Sequence, residues 1–105
     1  GIMLYGISPF PDRTGEALGL KPAMTFETRV IALRDLAAGE RVGYGGTWTA
    51  ARPSRIAVAA VGYGDGYPRS AGNGTPVAVA GVAAAVAGRP SMDMLTIDVT
   101  GLPQV

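Results

Sequence analysis

Neither cysteine nor histidine occurs among the 105 residues. The first absence excludes disulfides, thiolate metal sites and cysteine nucleophiles, and it permits a cytosolic address. The second removes the side chain most often used for proton transfer near neutral pH. Acid–base chemistry is left to tyrosine, a carboxylate or the one lysine, Lys21. Charge of either sign is scarce: 9 basic and 8 acidic residues give a net charge of +1. Scattered as they are, they form no basic patch for nucleic acid or an anionic membrane. The longest apolar run, "IAVAAVGYG" from Ile56, falls far short of the roughly 20 residues of a membrane span. "GIMLYGISPF" at the start lacks the basic lead and length of a signal peptide.

What is present is alanine, valine and glycine. Apolar residues make up 48% of a chain about one domain long. Many are alanine, so each burial contributes little area, and the domain is expected to be marginally stable unless it leans on a partner. The chain does not begin with methionine and stops within "IDVTGLPQV", so it is expected to be a piece of something longer.

Short β-type runs dominate. "GIMLYG" reads as a buried strand, and "ISPFPDRTGEALGLKP" as a linker or surface loop. From Met24, "MTFETRVIALRDL" alternates Phe26, Thr28, Val30 and Ala32 against Glu27, Arg29, Ile31 and Leu33, which predicts a twisted strand partly covered on both faces. A turn at Ala38-Gly39-Glu40 leads into a further strand. "SRIAVAAVG", "TPVAVAG", "VAAAVAG" and "MLTIDVTG" place β-branched residues at alternate positions and end at glycine. Alanine favours helix over 56–60 and 82–87, but these runs are too short and too often broken by glycine to hold one. The expected fold class is therefore all-β, with "AVAVAG" and "VAAAVAG" as the two strands of a hairpin.

Three stretches carry candidate chemistry. In "RVGYGGTWTA", Tyr44 stands between glycines 43, 45 and 46. A phenol with an ordinary pKa near ~10 acts as a base only beside cations that stabilise its anion. The same pattern also fits a strand-end tyrosine with glycines forming a bulge. "VGYGDGYPR" gathers Tyr63, Asp65, Tyr67 and Arg69, which suit either a polar pocket or a decorated hairpin with Asp65 capping its own turn. "GRPSMDM" sets Arg89, Ser91 and Asp93 around Met92. There Met92 reads as core filler and Asp93 as a solvated turn residue. No histidine links Ser91 to Asp93, so no hydrolase dyad arises. "GYGDGY" lacks the lysine of a phosphate-binding loop.

Taken in order, "GIMLYG", "LKPAMTFETRV", "AGERVGYGGTWTA", "VGYGDGYPR" and "VAGRPSMD" resemble the C-terminal part of the alanine racemases, enzymes that use pyridoxal 5'-phosphate. The resemblance implies that residues 1–19 are the last strand of a (β/α)8 barrel and its linker. Residues 20–105 would then be the C-terminal β-domain, incomplete at its end. It further implies a homodimer with active sites shared across the interface. Tyr44 matches the catalytic tyrosine that one subunit supplies to the other, exchanging the α-proton on one face of the substrate while a barrel lysine serves the opposite face. Met92 matches a substrate-binding position that meets the carboxylate through its backbone. Tyr63 matches a tyrosine narrowing the substrate entrance, and Asp93 lines the corridor leading there. Gly1 and Ile2 match cofactor-binding positions at the phosphate, and Lys21 does not match the cofactor lysine. The chain departs from the family pattern at Trp48, where tyrosine is usual, at Gly64, where alanine is common, and at Pro90. Pro90 falls where a strand usually continues, so it is expected at an edge or bulge.

The expectation is thus part of a cytoplasmic alanine racemase that interconverts L- and D-alanine and feeds peptidoglycan synthesis, inactive as this piece alone. A racemase of broader or serine-directed specificity, and a free-standing β-module that binds a partner, are the alternatives.

Overall fold

The computed structural model describes residues 16–19, 25–42 and 46–102. The expected strand at "GIMLYG" lies outside them, as does Lys21. Among the described residues there is no α-helix, only the short 3-10 turns Glu16–Leu18 and Tyr63–Asp65. Seven strands follow in chain order: β1 (Val30–Leu36), β2 (Arg41–Val42), β3 (Trp48–Thr49), β4 (Ser54–Ala59), β5 (Pro76–Val79), β6 (Val82–Val86) and β7 (Leu95–Asp98). The all-β expectation holds, including over 56–60 and 82–87.

Five strands form one antiparallel sheet in the order β1-β4-β7-β6-β5, and β2 pairs with β3 as a separate ribbon. The near-continuous apolar run of β4 follows from its place in the sheet, because packing covers both of its faces. On one side Ala57 and Ala59 join Val61, Leu95, Ile97 and Val99 in a core capped by Tyr67, Val77 and Val79. On the other, Ile56 is 0% exposed and packs with Leu36, Val42, Ala50 and Ala87, beneath Trp48. The second core fastens the β2–β3 ribbon to the sheet. Backbone bonds from Gly39 N–H to the Ala50 carbonyl (2.7 Å) and from Ala50 N–H to the Glu40 carbonyl (2.8 Å) extend that ribbon past its two paired residues. The predicted turn at 38–40 lies there, with the Glu40 carboxylate accepting from Ala37 N–H at 2.9 Å.

The first strand departs from expectation. Pairing begins only at Val30, with a register shift before Ala32, and residues 25–29 are not strand. Nor are both faces covered, since only Leu36 of β1 is buried and Ile31 remains 58% exposed. The reason is topological. β1 is the edge of the sheet, so alternation along it has no covering layer among the described residues. Phe26, Val30, Ile31 and Leu33 present an exposed apolar margin there. Pro90 also differs from its expected place. β6 ends at Val86, and Pro90 is buried in the irregular connection to β7, where its missing N–H costs no ladder bond.

The β5–β6 hairpin turns through Ala80 (φ 50°) and Gly81 (φ 79°), with Val79 opposite Val82. This two-residue turn needs positive φ at both central positions, a conformation that strains alanine and suits asparagine. Ala80→Asn should therefore stabilise the hairpin by about 1 kcal/mol. Amide hydrogen exchange at Val79 and Val82 should slow by about five-fold, and unchanged exchange would contradict the strain.

Candidate active site

The stretches 61–69 and 88–94 meet at one end of the sheet. Tyr63 N–H donates to the Ser91 carbonyl at 3.1 Å, and Gly64 N–H donates to the Met92 carbonyl at 2.8 Å. Two backbones can run this close only where side chains are missing. A methyl group at position 62 would sit 2.2 Å from the Ser91 oxygen and 2.5 Å from the Asp93 nitrogen. One at position 64 would sit 2.8 Å from the Met92 oxygen. The contacts at position 62 are shorter than nonbonded atoms tolerate, so glycine is required there, whereas a methyl at position 64 needs a smaller shift of the Met92 loop.

Each partner in the junction is shaped from within. Asp65 caps its own 3-10 turn, its carboxylate accepting from Gly62 N–H at 3.1 Å, while Asp65 N–H returns to the Gly62 carbonyl at 3.0 Å. Asp65 thus caps its own turn as expected, but the stretch forms a 3-10 turn and not a hairpin, since no strand lies between Ala59 and Pro76. Arg69 stands over the Tyr63 ring, 5.1 Å from its centroid, within cation–π range. Tyr67 turns inward to the first core and donates to the Ala71 carbonyl at 2.6 Å. In the opposite loop, the Ser91 hydroxyl accepts from Met94 N–H at 2.9 Å and lies 3.3 Å from Asp93 Oδ1. Ser91 therefore shapes the loop and is not poised as a nucleophile.

Met92 is not core filler in this chain: it is 64% exposed, at the crest of that loop. Its carbonyl is taken by Gly64, while its N–H meets no acceptor among the described residues. Tyr63 and Met92 are thus brought together, and Asp93 stands exposed in the same loop. Tyr44 belongs to the connection 43–47 between β2 and β3, but residues 43–45, like Gly1 and Ile2, lie outside the described residues.

The family model for the alanine racemase C-terminal domain matches residues 23–105. The chain belongs to this family. The alanine racemase of Pseudoalteromonas atlantica is 63% identical over 105 residues, covering 100% of this chain and 28% of that protein. The crystal structure of biosynthetic alanine racemase from Pseudomonas aeruginosa superposes with a TM-score of 0.97 at 55% identity, over 100% of this chain and 29% of that one. That of alanine racemase from Bartonella henselae with covalently bound pyridoxal phosphate gives a TM-score of 0.77 at 31% identity, over 98% of this chain and 28% of that one. The chain therefore spans little more than a quarter of the length of these racemases.

One contact in this racemase domain escaped the motif reading. Asn73 Nδ2 donates to the Thr47 carbonyl at 3.1 Å, while its Oδ1 accepts from Gly88 N–H. Its only sequence signal is an asparagine between two glycines, which equally fits any turn.

The glycine junction predicts a graded response. Gly62→Ala should break the pairing, exposing Tyr63 and Gly64 amides to fast hydrogen exchange. Gly64→Ala, with fewer clashes, should do so less. Protection retained in Gly62→Ala would show that the approach is looser than described.

Proposed function

We propose that this chain is the part of an alanine racemase that completes the substrate pocket of a partner subunit, with Tyr44 as one of two bases interconverting L- and D-alanine. The observation that carries the reading is the Met92 N–H, which has no acceptor among the described residues and belongs to a residue that is 64% exposed. It stands at the crest of a loop fixed beside Tyr63 by the glycine junction. A backbone N–H held free and rigid is suited to a carboxylate, the one group shared by every amino-acid substrate. Family membership supplies the reaction class.

Roles follow from this arrangement. Met92 N–H binds the carboxylate and so orients the α-carbon. Tyr63, steadied by Arg69, narrows the entrance, and Asp93 borders the corridor outside it. Tyr44 moves the proton on one face of the α-carbon, and a lysine elsewhere in the whole protein serves the other. Two bases are needed because racemisation removes a proton from one face and returns one to the opposite face. The bare glycines around Tyr44 give its phenol unobstructed access.

Pyridoxal phosphate is the cofactor of this reading, and when bound it draws electrons away from the α-carbon. The described residues do not form its holder. They include no lysine amine, and Gly1 and Ile2, assigned to its phosphate, lie outside them. Its site is assigned to the barrel that the resemblance places before this domain, with the boundary near residue 20. The exposed apolar margin of β1 supports a homodimer in which this domain is covered. A cytoplasmic enzyme supplying D-alanine to peptidoglycan completes the proposal. Among the described residues no helix is long and apolar enough to cross a membrane.

In the whole protein, Tyr44→Phe should leave the fold and cofactor absorbance intact while kcat falls by about 10²–10⁴-fold. Full activity would end the assignment. Met92→Ala should be mild, because the contact runs through the backbone, whereas Met92→Trp should raise KM by crowding the carboxylate. Equal and severe losses in both would instead mark Met92 as a buried structural residue.

A further inference from the structure

The loop that carries Met92 is clasped at its foot by one hydroxyl. Ser91 Oγ accepts from Met94 N–H at 2.9 Å, while Ser91 N–H donates to the Met94 carbonyl at 3.0 Å. Together the two bonds close a ring across the base of the loop, with Met92 and Asp93 at its crest. We propose that Ser91 is a positioning residue that sets the Met92 N–H for the substrate carboxylate. The proposal rests on the reading of that N–H as the carboxylate donor.

Ser91 acts through backbone and side chain alike. Its carbonyl accepts from Tyr63 N–H at 3.1 Å, which anchors the loop to the glycine junction. Its hydroxyl proton is within reach of the Met94 carbonyl at 3.0 Å and of Asp93 Oδ1 at 3.3 Å, and serves one of them at a time. Only the side-chain bonds depend on residue type, because other residues would supply the same backbone groups. Without the hydroxyl, Met94 N–H loses its acceptor and turns to water, since Met94 is 42% exposed. The crest would then hang on the Met92 carbonyl and the single remaining bond between Ser91 and Met94. Two crest donors, the N–H groups of Met92 and Asp93, have no acceptor among the described residues. The Asp93 nitrogen is packed against Gly62, where a methyl would sit 2.5 Å from it, so the Met92 N–H is the one left to a ligand. A carboxylate is bound alike in the ground state and the transition state, so loosening its donor acts on KM more than on kcat.

In the whole protein, Ser91→Ala should raise KM for alanine by about 10-fold with kcat little changed. Ser91→Thr keeps the hydroxyl and should restore the wild-type KM. Propionate, which has the carboxylate but no amine, should bind Ser91→Ala about 10-fold more weakly. Ethylamine, which is alanine without its carboxylate, should bind wild type and Ser91→Ala alike. Isotopic labelling of methionine nitrogen in the wild type supplies the control, since propionate should shift the Met92 amide resonance. With that shift present, wild-type KM and propionate affinity in folded Ser91→Ala would overturn the proposal. So would an equal loss of ethylamine binding, which would mark a general disturbance of the pocket, or a KM raised just as far in Ser91→Thr. No shift at Met92 in the wild type would remove the carboxylate reading itself, and this proposal with it, a result distinct from silence at Ser91.

Discussion

The close backbone approach of residues 62–64 to 91–92 is the constraint on which the functional end of this domain depends. It is short, two hydrogen bonds wide, and it depends above all on the missing side chain at position 62. Everything specific follows from it. The junction pairs the Met92 carbonyl, leaves the Met92 N–H without an acceptor among the described residues, and stations Tyr63 in the same junction under Arg69. Exposed hydrogen bonds of this kind contribute only about 0.5–1.5 kcal/mol each to stability. Their larger effect is geometric, because they convert two loops into one rigid surface.

The sheet supplies the base for that surface. β4, which gives Ala57 and Ala59 to one core and Ile56 to the other, ties the edge strand β1 to the inner strand β7. Alanine lets the layers approach closely but buries little area, so the domain gains shape more than stability. The β2–β3 ribbon is fastened to the sheet by the second core, through Val42, Ala50 and Trp48. The Asn73 carboxamide joins Thr47, at the foot of β3, to Gly88, at the start of the connection that carries Met92.

Much of this was legible in the sequence because it is local. Alternating valines in 76–86 specified a hairpin, and Asp65-Gly66 specified a turn with its own carboxylate cap, since each involves residues only a few positions apart. What failed depended on distant neighbours. The alternation in 24–36 predicts a covered strand, but coverage is decided by which strand ends at the sheet edge. A glycine in "VGYG" looks the same whether it serves a turn or a backbone junction with residue 91. Met92 reads as core filler by composition, yet the Ser91 turn lifts it out to solvent. Asn73 was silent because its partners lie 26 and 15 residues away.

The central claim is that this domain completes a site whose other half belongs to a second subunit. Subunit complementation tests it most directly. Dimers of the whole protein carrying Tyr44→Phe are mixed with dimers lacking the cofactor lysine assigned to the barrel, under conditions where subunits exchange. Each mixed dimer then holds one site with an intact lysine from one chain and an intact tyrosine from the other. At equal mixing, half of the dimers carry one good site, so activity should recover to about a quarter of wild type. Demonstrated exchange with no recovery would mean that Tyr44 serves its own subunit or no site at all, and the account would fail.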